Sequence, residues 1–488
     1  MAAGDPPGDA PLFRHVAEDG IHEGTGGAHG LLHRPRAARK RQAPPWRCRL
    51  RRHPRRPAGA GARRCRPLGG GAAGNADGPL HLDPLESRAG RSPRRVRAGP
   101  RPGRRRPLAG RAGEAAVSRR RRRAHHQESD VNPAVSFAAA VCALILYFGR
   151  RSRRQYLQLP EIPPAGARPP GGRVTAIIPA RNEESVIARC VRSLAPSVPV
   201  IVVDDHSIDR TADEARAAGA AVAAAPPLPA GWLGKPHACW TGAHKAETEW
   251  LLFVDADTWY EPGFVDALLS FAEARGLDAV SVFPRQVCLR WFESALVEYG
   301  LGLYFAGVDA ARLSDPASPE ALANGQCILI RREEYFRLGG HHAVASSVTE
   351  DVALAVLFKR HGLPFAVCRA EQLARVRMYD SFLSLWRGFQ KNSFRVLFHN
   401  PRCGLLIILA TIAMTSWLPA SVLLAWAGWR AAALLPPLAA IAAWKPWYGS
   451  WRRALWAPLA IYLFQGIVIS AMFASFTGRG AVWKGRRV

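Results

Sequence analysis

Two long, uncharged apolar segments near the C-terminus place the strongest limit on how this chain can fold. Leu405–Trp429 and Ala454–Phe476 are each long enough to cross a bilayer as a helix, and both contain the aromatic residues common at membrane interfaces. Between them, Ala431–Trp444 is shorter and can be a third span, a re-entrant segment or a loop. We therefore predict a C-terminal transmembrane region at 403–478 with two or three spans.

A further apolar segment, Ala134–Phe148, lies in the first third of the chain and can be extended by the three residues before it. It predicts a transmembrane helix at 131–149, the alternative being a buried helix of a soluble domain. Four arginines follow it, and basic residues concentrate on the cytoplasmic side of a span. We expect a multi-pass protein of the cell membrane whose central region is cytoplasmic.

The formal net charge of +29 would suit a nucleic-acid-binding protein, but the charge is unevenly distributed. Residues 1–128 hold 30 Lys and Arg against 10 Asp and Glu, in a segment dominated by Arg, Pro, Gly and Ala. Such a composition cannot bury enough apolar surface to order itself. We predict a disordered basic extension at 1–128, which is either an unstructured extension or coding sequence upstream of the true start, and no nucleic-acid partner. A basic arm for anionic lipid or nucleic acid is the alternative, and deleting these residues distinguishes the two.

The region between the first apolar segment and Leu405 alternates strand-like and helix-like patterns. Strands alternating with helices predict an α/β fold with a mainly parallel sheet and flanking helices. Ligands of such sheets bind at the carboxyl ends of the strands. The predicted strands are Val174–Pro179, Pro199–Asp205, Trp250–Asp255 and Ala279–Phe283, and the predicted helices after the first two are Glu183–Leu194 and Asp209–Ala218.

Polar residues follow three of these strands, in the stretches Pro179–Glu183, Asp204–Ser207 and Asp255–Asp257. Parallel strands bring these stretches to one edge, where their carboxylates can converge on a single ligand. One D-x-D pattern alone would as often be a surface loop or a helix cap. A nucleotide diphosphate-sugar carries clustered negative charge, which proteins meet with Mg²⁺ or Mn²⁺ held by carboxylates and the substrate phosphates.

These stretches resemble the signature blocks of family-2 glycosyltransferases, which have a GT-A fold. The resemblance covers roughly Val174 to Pro401 and implies a GT-A domain at 172–400. It implies that the sugar donor, a UDP-sugar or another nucleotide sugar, is bound by the residues after the first strands, with Asp255 also beside the metal and Asp257 ligating it. The implied donor-binding residues are Pro179, Ala180, Arg181, Glu183, Asp204, Asp205, Lys235 and Asp255.

Lys235 belongs to the stretch Gly231–Ala238, a pattern that resembles membrane glycosyltransferases of carotenoid and hopanoid pathways. Taken alone, this stretch would be interpreted as a solvated loop. Thr349-Glu350-Asp351 opens an apolar helix and taken alone would be a helix cap. The family has its general base at this position, so the resemblance implies that Asp351, with Glu350 beside it, takes the proton of the acceptor hydroxyl. Direct displacement with one base inverts the anomeric carbon.

Two further segments resemble the acceptor side of the family. They contribute the candidate residues Asn324, Gly325, Gln326, Trp386, Arg387 and Gln390. Ser381–Phe398 also has the spacing of an amphipathic interfacial helix. Processive synthases carry Q-x-x-R-W near this point, whereas Gln390 is followed here by Lys391–Phe394, which favours non-processive transfer.

The resulting hypothesis is an inverting, metal-dependent transfer of sugar to a lipid or isoprenoid acceptor at the membrane. A polyprenyl-phosphate sugar transferase and a non-catalytic, membrane-tethered basic binding protein are the alternatives.

Overall fold

The computed structural model describes residues 132–164, 172–313, 315, 318–392, 400–477, 482–483 and 486–487. The predicted extension at 1–128 lies outside these residues. The account below concerns the described part of the chain.

A seven-stranded sheet forms the centre of the domain between the first apolar helix and Pro401, with strands in the order β3-β2-β1-β4-β8-β6-β9. Neighbouring strands are parallel except where β8 pairs with β4 and β6. The predicted fold class, a mainly parallel sheet with flanking helices, is confirmed. The strands are β1 Val174–Ala180, β2 Val200–Asp204, β3 Ala221–Ala224, β4 Trp250–Val254, β6 Ala279–Phe283, β8 Cys327–Arg331 and β9 Phe365–Arg369.

A second, three-stranded sheet lies beside the end of β4 in the order β5-β10-β7. Its strands are Thr258–Tyr260, Ala374–Val376 and Arg285–Gln286. Because β5 follows directly after the Asp255–Asp257 turn, this small sheet fixes the direction in which the chain leaves β4. Two further short strands, β11 Val482–Trp483 and β12 Arg486–Arg487, pair with each other.

Helices cover both faces of the large sheet. The helices of this region are α2 Ile187–Leu194, α3 Thr211–Ala217, α4 Gly234–Ala243, α5 Phe264–Ala274, α6 Trp291–Gly307, α7 Ala310–Leu313, α8 Arg332–Arg337, α9 Gly340–Ala343, α10 Glu350–Arg360 and α11 Phe382–Asn392.

The helix after β1 begins at Ile187, four residues later than predicted. Asn182 has a positive φ of 52°, and the Glu183 backbone N–H donates to the Thr211 hydroxyl at 2.7 Å. These bonds hold the polar residues after β1 in an extended loop at the sheet edge.

Three helices among the described residues are long and apolar enough to cross a membrane. They are Pro133–Leu157, Pro401–Trp426 and Ala457–Phe476. We call the first α1 and the last α16, and the middle one divides at Ser416 into α12 Pro401–Thr415 and α13 Trp417–Trp426. The first helix continues beyond residue 149, the predicted end, and includes the four arginines that follow. The Arg151 guanidinium donates to the carbonyls of Ala306 and Val308 at the C-terminal end of α6.

The predicted third C-terminal segment forms α14, Leu435–Tyr448, after a short 3₁₀ turn. Its 14 residues correspond to about 21 Å of helix, which is short for a bilayer core of about 30 Å. Trp444 and Tyr448 of this helix are fully buried. A four-residue helix, α15 Trp451–Ala454, separates it from α16.

Helix α6 joins the sheet domain to the apolar helices, because it packs against α1, α12, α14 and α16. Glycines allow this close packing: a Cβ on Gly307 would lie 2.7 Å from the Cys403 carbonyl oxygen of α12. One hydrophobic core contains buried residues from α6 and from all three candidate membrane helices. The carboxyl edge of the sheet is thereby held next to the apolar helices.

Candidate active site

A cavity of about 570 Å³ runs along the carboxyl edge of the sheet and reaches the apolar helices. Its polar part contains residues from the ends of β1, β2 and β4, from the start of α4 and from the start of α10. Of the residues predicted from the sequence, it is lined by Pro179, Ala180, Arg181, Glu183, Asp205, Lys235, Asp255, Asp257, Asn324, Gly325, Gln326, Glu350 and Asp351. The fold therefore brings together side chains separated by more than 150 positions in the sequence.

The ends of β1 and β2 form one continuous wall of this cavity. Ala180 pairs with Asp204, and the Asp205 backbone N–H donates to the Ala180 carbonyl at 2.8 Å. The Arg181 guanidinium donates to the Asp205 carbonyl at 2.5 Å. His206 occupies a position where the family more often has glycine. Its φ of 56° lies in the left-handed region that favours glycine, so the backbone of the turn keeps a glycine-like conformation. Asp204 accepts from the Ser207 backbone N–H and does not line the cavity.

Asp255 and Asp257 lie on the turn between β4 and β5. The Thr258 hydroxyl stabilises this turn by donating a hydrogen bond to the Asp255 carbonyl at 2.7 Å. The Asp255 backbone N–H donates to the Gln326 carbonyl at 3.2 Å. Both carboxylates are half-buried and face the cavity. The backbone of Asp255 is therefore held by two hydrogen bonds, one with the Thr258 hydroxyl and one with the Gln326 carbonyl.

The donor set at this turn bears on the predicted metal. Among the described residues, no cluster of three or more His, Cys, Asp or Glu side chains is placed to hold a metal ion. An ion held by protein ligands alone therefore does not fit this turn. An ion that takes one or two carboxylates and completes its coordination with substrate phosphates does fit, and Mg²⁺ commonly binds in this way. Asp257 and Asp255 are the carboxylates that would hold it.

Lys235 connects the turn at Asp255–Asp257, which we call the metal turn because it carries the predicted metal ligands, with Glu350, the residue before the predicted base. Its Nζ lies 2.7 Å from Asp255 Oδ1 and 2.8 Å from Glu350 Oε1. Burial by itself would lower the pKa of Lys235, but the two carboxylates outweigh it and raise that pKa well above its usual value. Helix α4 carries Lys235 close to the sheet because Gly242 has no side chain: a Cβ there would lie 2.4 Å from Ile177 Cγ2 of β1.

Glu350 and Asp351 occupy the first turn of α10, after Thr349. Thr349 is the N-cap residue, but its side chain makes no capping hydrogen bond to the helix. Asp351 Oδ2 accepts from the Gly325 backbone N–H and Oδ1 accepts from the Val352 backbone N–H, both at 2.8 Å. The acidic pair is therefore oriented by the loop before β8 and by Lys235.

The two carboxyls of this pair differ in their protonation. Burial, and next the charge of Glu350, raise the pKa of Asp351 to about 6. Burial also opposes ionisation of Glu350, but the Lys235 ammonium outweighs it and lowers the pKa of Glu350. Near neutral pH, Glu350 is ionised beside Lys235, and Asp351 is the carboxyl that can exchange a proton.

The predicted acceptor-side residues fall into two groups. Asn324, Gly325 and Gln326 line the cavity next to Asp351, and a Cβ on Gly325 would lie 3.1 Å from Lys235 Nζ. Trp386, Arg387 and Gln390 on α11 are not among the residues that line it. The Gln390 amide donates to the Ser470 carbonyl of α16 at 3.3 Å, and Arg387 is exposed. The helix α11 does reach the cavity, through Gly388, Phe389 and Lys391.

The sequence did not predict the apolar part of the cavity, which we call the apolar limb. No single segment contributes it, and each of its residues has the sequence pattern of an ordinary core or membrane position. It is lined by Val297, Leu301 and Tyr304 of α6, Phe389 of α11, Ile407 of α12 and Phe464 of α16.

Comparison with known proteins shows which sequences and structures are similar to this chain. Residues 175–333 match the sequence profile described as glycosyl transferase family 2. The chain is 33% identical over 226 residues to the 4,4'-diaponeurosporenoate glycosyltransferases of Staphylococcus aureus strains MRSA252 and USA300. The match covers 45% of this chain, and the chain spans about 60% of the length of these relatives.

Two solved structures are also similar to the chain. A mannosyltransferase from Pyrobaculum calidifontis in complex with GDP-Man and Mn²⁺ is 20% identical, with 68% of this chain and 96% of that chain covered and a TM-score of 0.42. Glucosyl-3-phosphoglycerate synthase from Mycobacterium tuberculosis, with Mn²⁺, UDP-glucose and phosphoglyceric acid, is 21% identical, with 48% and 80% covered and a TM-score of 0.33. The resemblance to family-2 glycosyltransferases is confirmed by the family match over residues 175–333.

Proposed function

We propose that this protein transfers a sugar from a nucleotide diphosphate donor to a lipid-like acceptor, with inversion and without processivity. One observation carries the proposal: a single cavity contains the D-x-D turn, Lys235 and Asp351 at one end and residues of two candidate membrane helices at the other. A water-soluble acceptor would not need the second end. The Staphylococcus aureus relatives, whose name includes a carotenoid acid, support an isoprenoid-type hydrocarbon chain on the acceptor, and the group that accepts the sugar in our proposal is a hydroxyl.

Asp351 acts as the general base in this mechanism. Its carboxylate takes the proton of the acceptor hydroxyl while the hydroxyl oxygen forms a bond to the anomeric carbon of the sugar. The bond from that carbon to the diphosphate breaks, and its electron pair leaves with the nucleoside diphosphate. Because attack and departure occur on opposite faces, the configuration inverts. Hydrogen bonds from Gly325 and Val352 hold the carboxylate in one orientation before the acceptor arrives.

The donor lies along the ends of β1, β2 and β4 in this proposal. The carboxylates of Asp205 and Glu183 face the nucleoside, and Lys235 faces the diphosphate as a point charge. A divalent ion bound by Asp257 and Asp255 together with the phosphates supplies charge stabilisation for the departing diphosphate. Lys235 has a second task, which is to keep Glu350 ionised without leaving a buried charge unpaired.

We expect membranes containing the full chain to transfer radiolabel from a nucleotide sugar into organic-extractable material, and to do so only with Mg²⁺ or Mn²⁺. The assay would compare UDP-glucose with other nucleotide sugars and count label in the lipid fraction, with EDTA as the control. Mild acid then separates two acceptor types, because a sugar phosphate on a polyprenyl carrier hydrolyses and a glycolipid does not. No transfer from any donor by correctly inserted protein that binds nucleotide sugars would contradict the proposal.

We expect the rate of transfer to fall as the pH drops through about 6, because Asp351 must be deprotonated to act as a base. Lys235 lowers the pKa of both Glu350 and Asp351, so Lys235→Met should move this acidic limb of the pH profile to higher pH. The measurement is kcat/KM against pH for both proteins. Lys245→Met, an exposed lysine on the chain after the same helix, is the matched control and should leave the profile in place. An unshifted limb in Lys235→Met would show that Lys235 does not act on the base.

A further inference from the structure

We propose that the apolar limb binds the hydrocarbon chain of the acceptor, and that this chain is thin and extended. The inference rests on the proposed function, because it requires Asp351 to meet the polar end of the same molecule. It goes further by locating the chain between α6, α11, α12 and α16 and by specifying its shape.

The first support is the position of the limb relative to the membrane helices. Ile407 lines the limb and is 7% exposed, whereas the next residue, Ile408, faces outward and is 45% exposed. On α16, Phe464 lines the limb at 6% exposed and Phe473 faces outward at 63%. The exposed faces of these helices are the ones that would contact lipid. A single layer of helix therefore separates the limb from the hydrocarbon of a bilayer.

The second support is the chemistry of the lining. Val297, Leu301, Ile407 and two phenylalanines offer no charge and no side-chain hydrogen bond, and the hydroxyl of Tyr304 is the exception. A sugar or a phosphate would lose hydrogen bonds to water in this lining without forming new ones. Each methylene group moved there from water would strengthen binding by roughly fourfold. The lining therefore selects for a hydrocarbon chain.

The third support is a pair of aromatic rings that line the limb. The rings of Phe389 and Phe464 meet edge to face with their centroids 5.3 Å apart. They meet over Gly300, where a Cβ would lie 2.8 Å from the Phe464 ring and 3.3 Å from the Phe389 ring. Because α6 has no side chain at this point, the two rings rest directly on its backbone. A thin chain can pass beside such a pair, whereas a fused-ring lipid would have to displace both rings.

The limb also leads to the predicted base. Tyr304 and Val352, the residue after Asp351, both line the main cavity, and both also line a small adjoining cavity. An acceptor whose chain occupies the limb would place its polar end beside Asp351 and Gly325. One acceptor molecule could therefore contact the apolar limb with its hydrocarbon chain and Asp351 with its polar end.

The test uses the full chain in lipid nanodiscs and a photoreactive probe, a long-chain fatty alcohol carrying a diazirine. After irradiation, mass spectrometry maps the label. We expect saturable labelling of the peptides that contain Leu301, Ile407 and Phe464, removed by excess unlabelled alcohol. Label on the outward residues Ile408 and Phe473 should instead rise in proportion to the probe concentration.

Leu301→Trp fills the limb and should reduce the saturable label at least about tenfold. Ile408→Trp adds the same ring to the outer face of α12 and should leave the label unchanged. Binding of a nucleotide sugar, measured on each variant, reports whether the polar end is still folded. If Leu301→Trp fails to fold, Gly300→Ala, which pushes Phe464 into the limb, replaces it.

The outcomes separate the inference from the proposed function. Only non-saturable label on wild-type protein that binds nucleotide sugar would overturn the inference and leave the donor half of the function standing. Saturable label that persists at full strength in Leu301→Trp would also overturn it. Saturable limb labelling in a protein that binds no nucleotide sugar would uphold the chain site and overturn the proposed function.

Discussion

Asp351→Asn should reduce sugar transfer by about a hundred- to ten-thousandfold, the contribution typical of a general base. The amide has nearly the same shape but cannot accept a proton from the acceptor hydroxyl. Its oxygen can still accept a hydrogen bond from Gly325 or from Val352, so the first turn of α10 should keep its position. Transfer would be measured under single-turnover conditions, and donor affinity by calorimetry should stay within a few-fold of wild type.

Two comparisons make this result informative. Asp213→Asn alters an exposed carboxylate on α3 that pairs with Arg216, and it should transfer sugar at the wild-type rate. An acceptor that is already an anion, such as a carboxylate or a phosphate, has no proton to lose. Near-normal transfer by Asp351→Asn would therefore contradict the role of Asp351 and favour an anionic acceptor.

The placement of the proposed donor-binding residues at one edge of the sheet could be predicted because they follow simple local patterns. Val174–Pro179, Pro199–Asp205 and Trp250–Asp255 are apolar runs that end in polar residues, and the observed strands end where the polarity changes. Parallel pairing then brings the ends together without further information. The edge strand β3, Ala221–Ala224, was not predicted. Three of its four residues are alanine, and Val222 alone gives too little β-branched content to indicate a strand.

The part of the site that was not predicted depends on contacts between distant segments. The direction of β8 is an example: Cys327–Ile330 reads as a strand, but its antiparallel pairing with β4 depends on the path of the 40 residues before it. The apolar limb is another example. Helix α6 was not predicted from the sequence, because its 17 residues are apolar on most sides and show no single buried face before they end at Gly307. Only the packing of α6 against α12 and α16 shows that Leu301 and Ile407 face the same space.

The ion network around Lys235 was predicted only in part: its residues were predicted from the sequence, but their contacts with one another were not. The lysine, Asp255 and Glu350 were each predicted as site residues, but for separate tasks. Their contacts at 2.7 and 2.8 Å show that one ammonium serves the metal turn and the acidic pair together. Buried charges depend strongly on their partners, so removing any one of the three should affect both others. The donor and acceptor ends of the cavity are therefore electrostatically coupled.

Asp257→Ala should abolish the metal-dependent part of donor binding and reduce transfer by about a hundredfold or more, because a bound ion contributes several kcal/mol to the stabilisation of the departing diphosphate. Asp257 is the carboxylate that the family resemblance assigns to the ion, whereas Asp255 of the same turn also pairs with Lys235 at 2.7 Å. Calorimetry with UDP-glucose would compare Mn²⁺ with EDTA for wild type and variant. The wild type should bind more tightly with Mn²⁺, and the variant should bind equally weakly in both.

Asp213→Ala, at an exposed position on α3, is the control and should keep the full Mn²⁺ effect. Because donor binding is measured without transfer, the result does not depend on the acceptor. Asp351→Asn in the same experiment should also keep the Mn²⁺ effect, since Asp351 is held by the Gly325 and Val352 backbone N–H groups and is not one of the proposed ligands of the ion. A Mn²⁺ effect that survives in Asp257→Ala would contradict the role of Asp257 as a ligand of the ion.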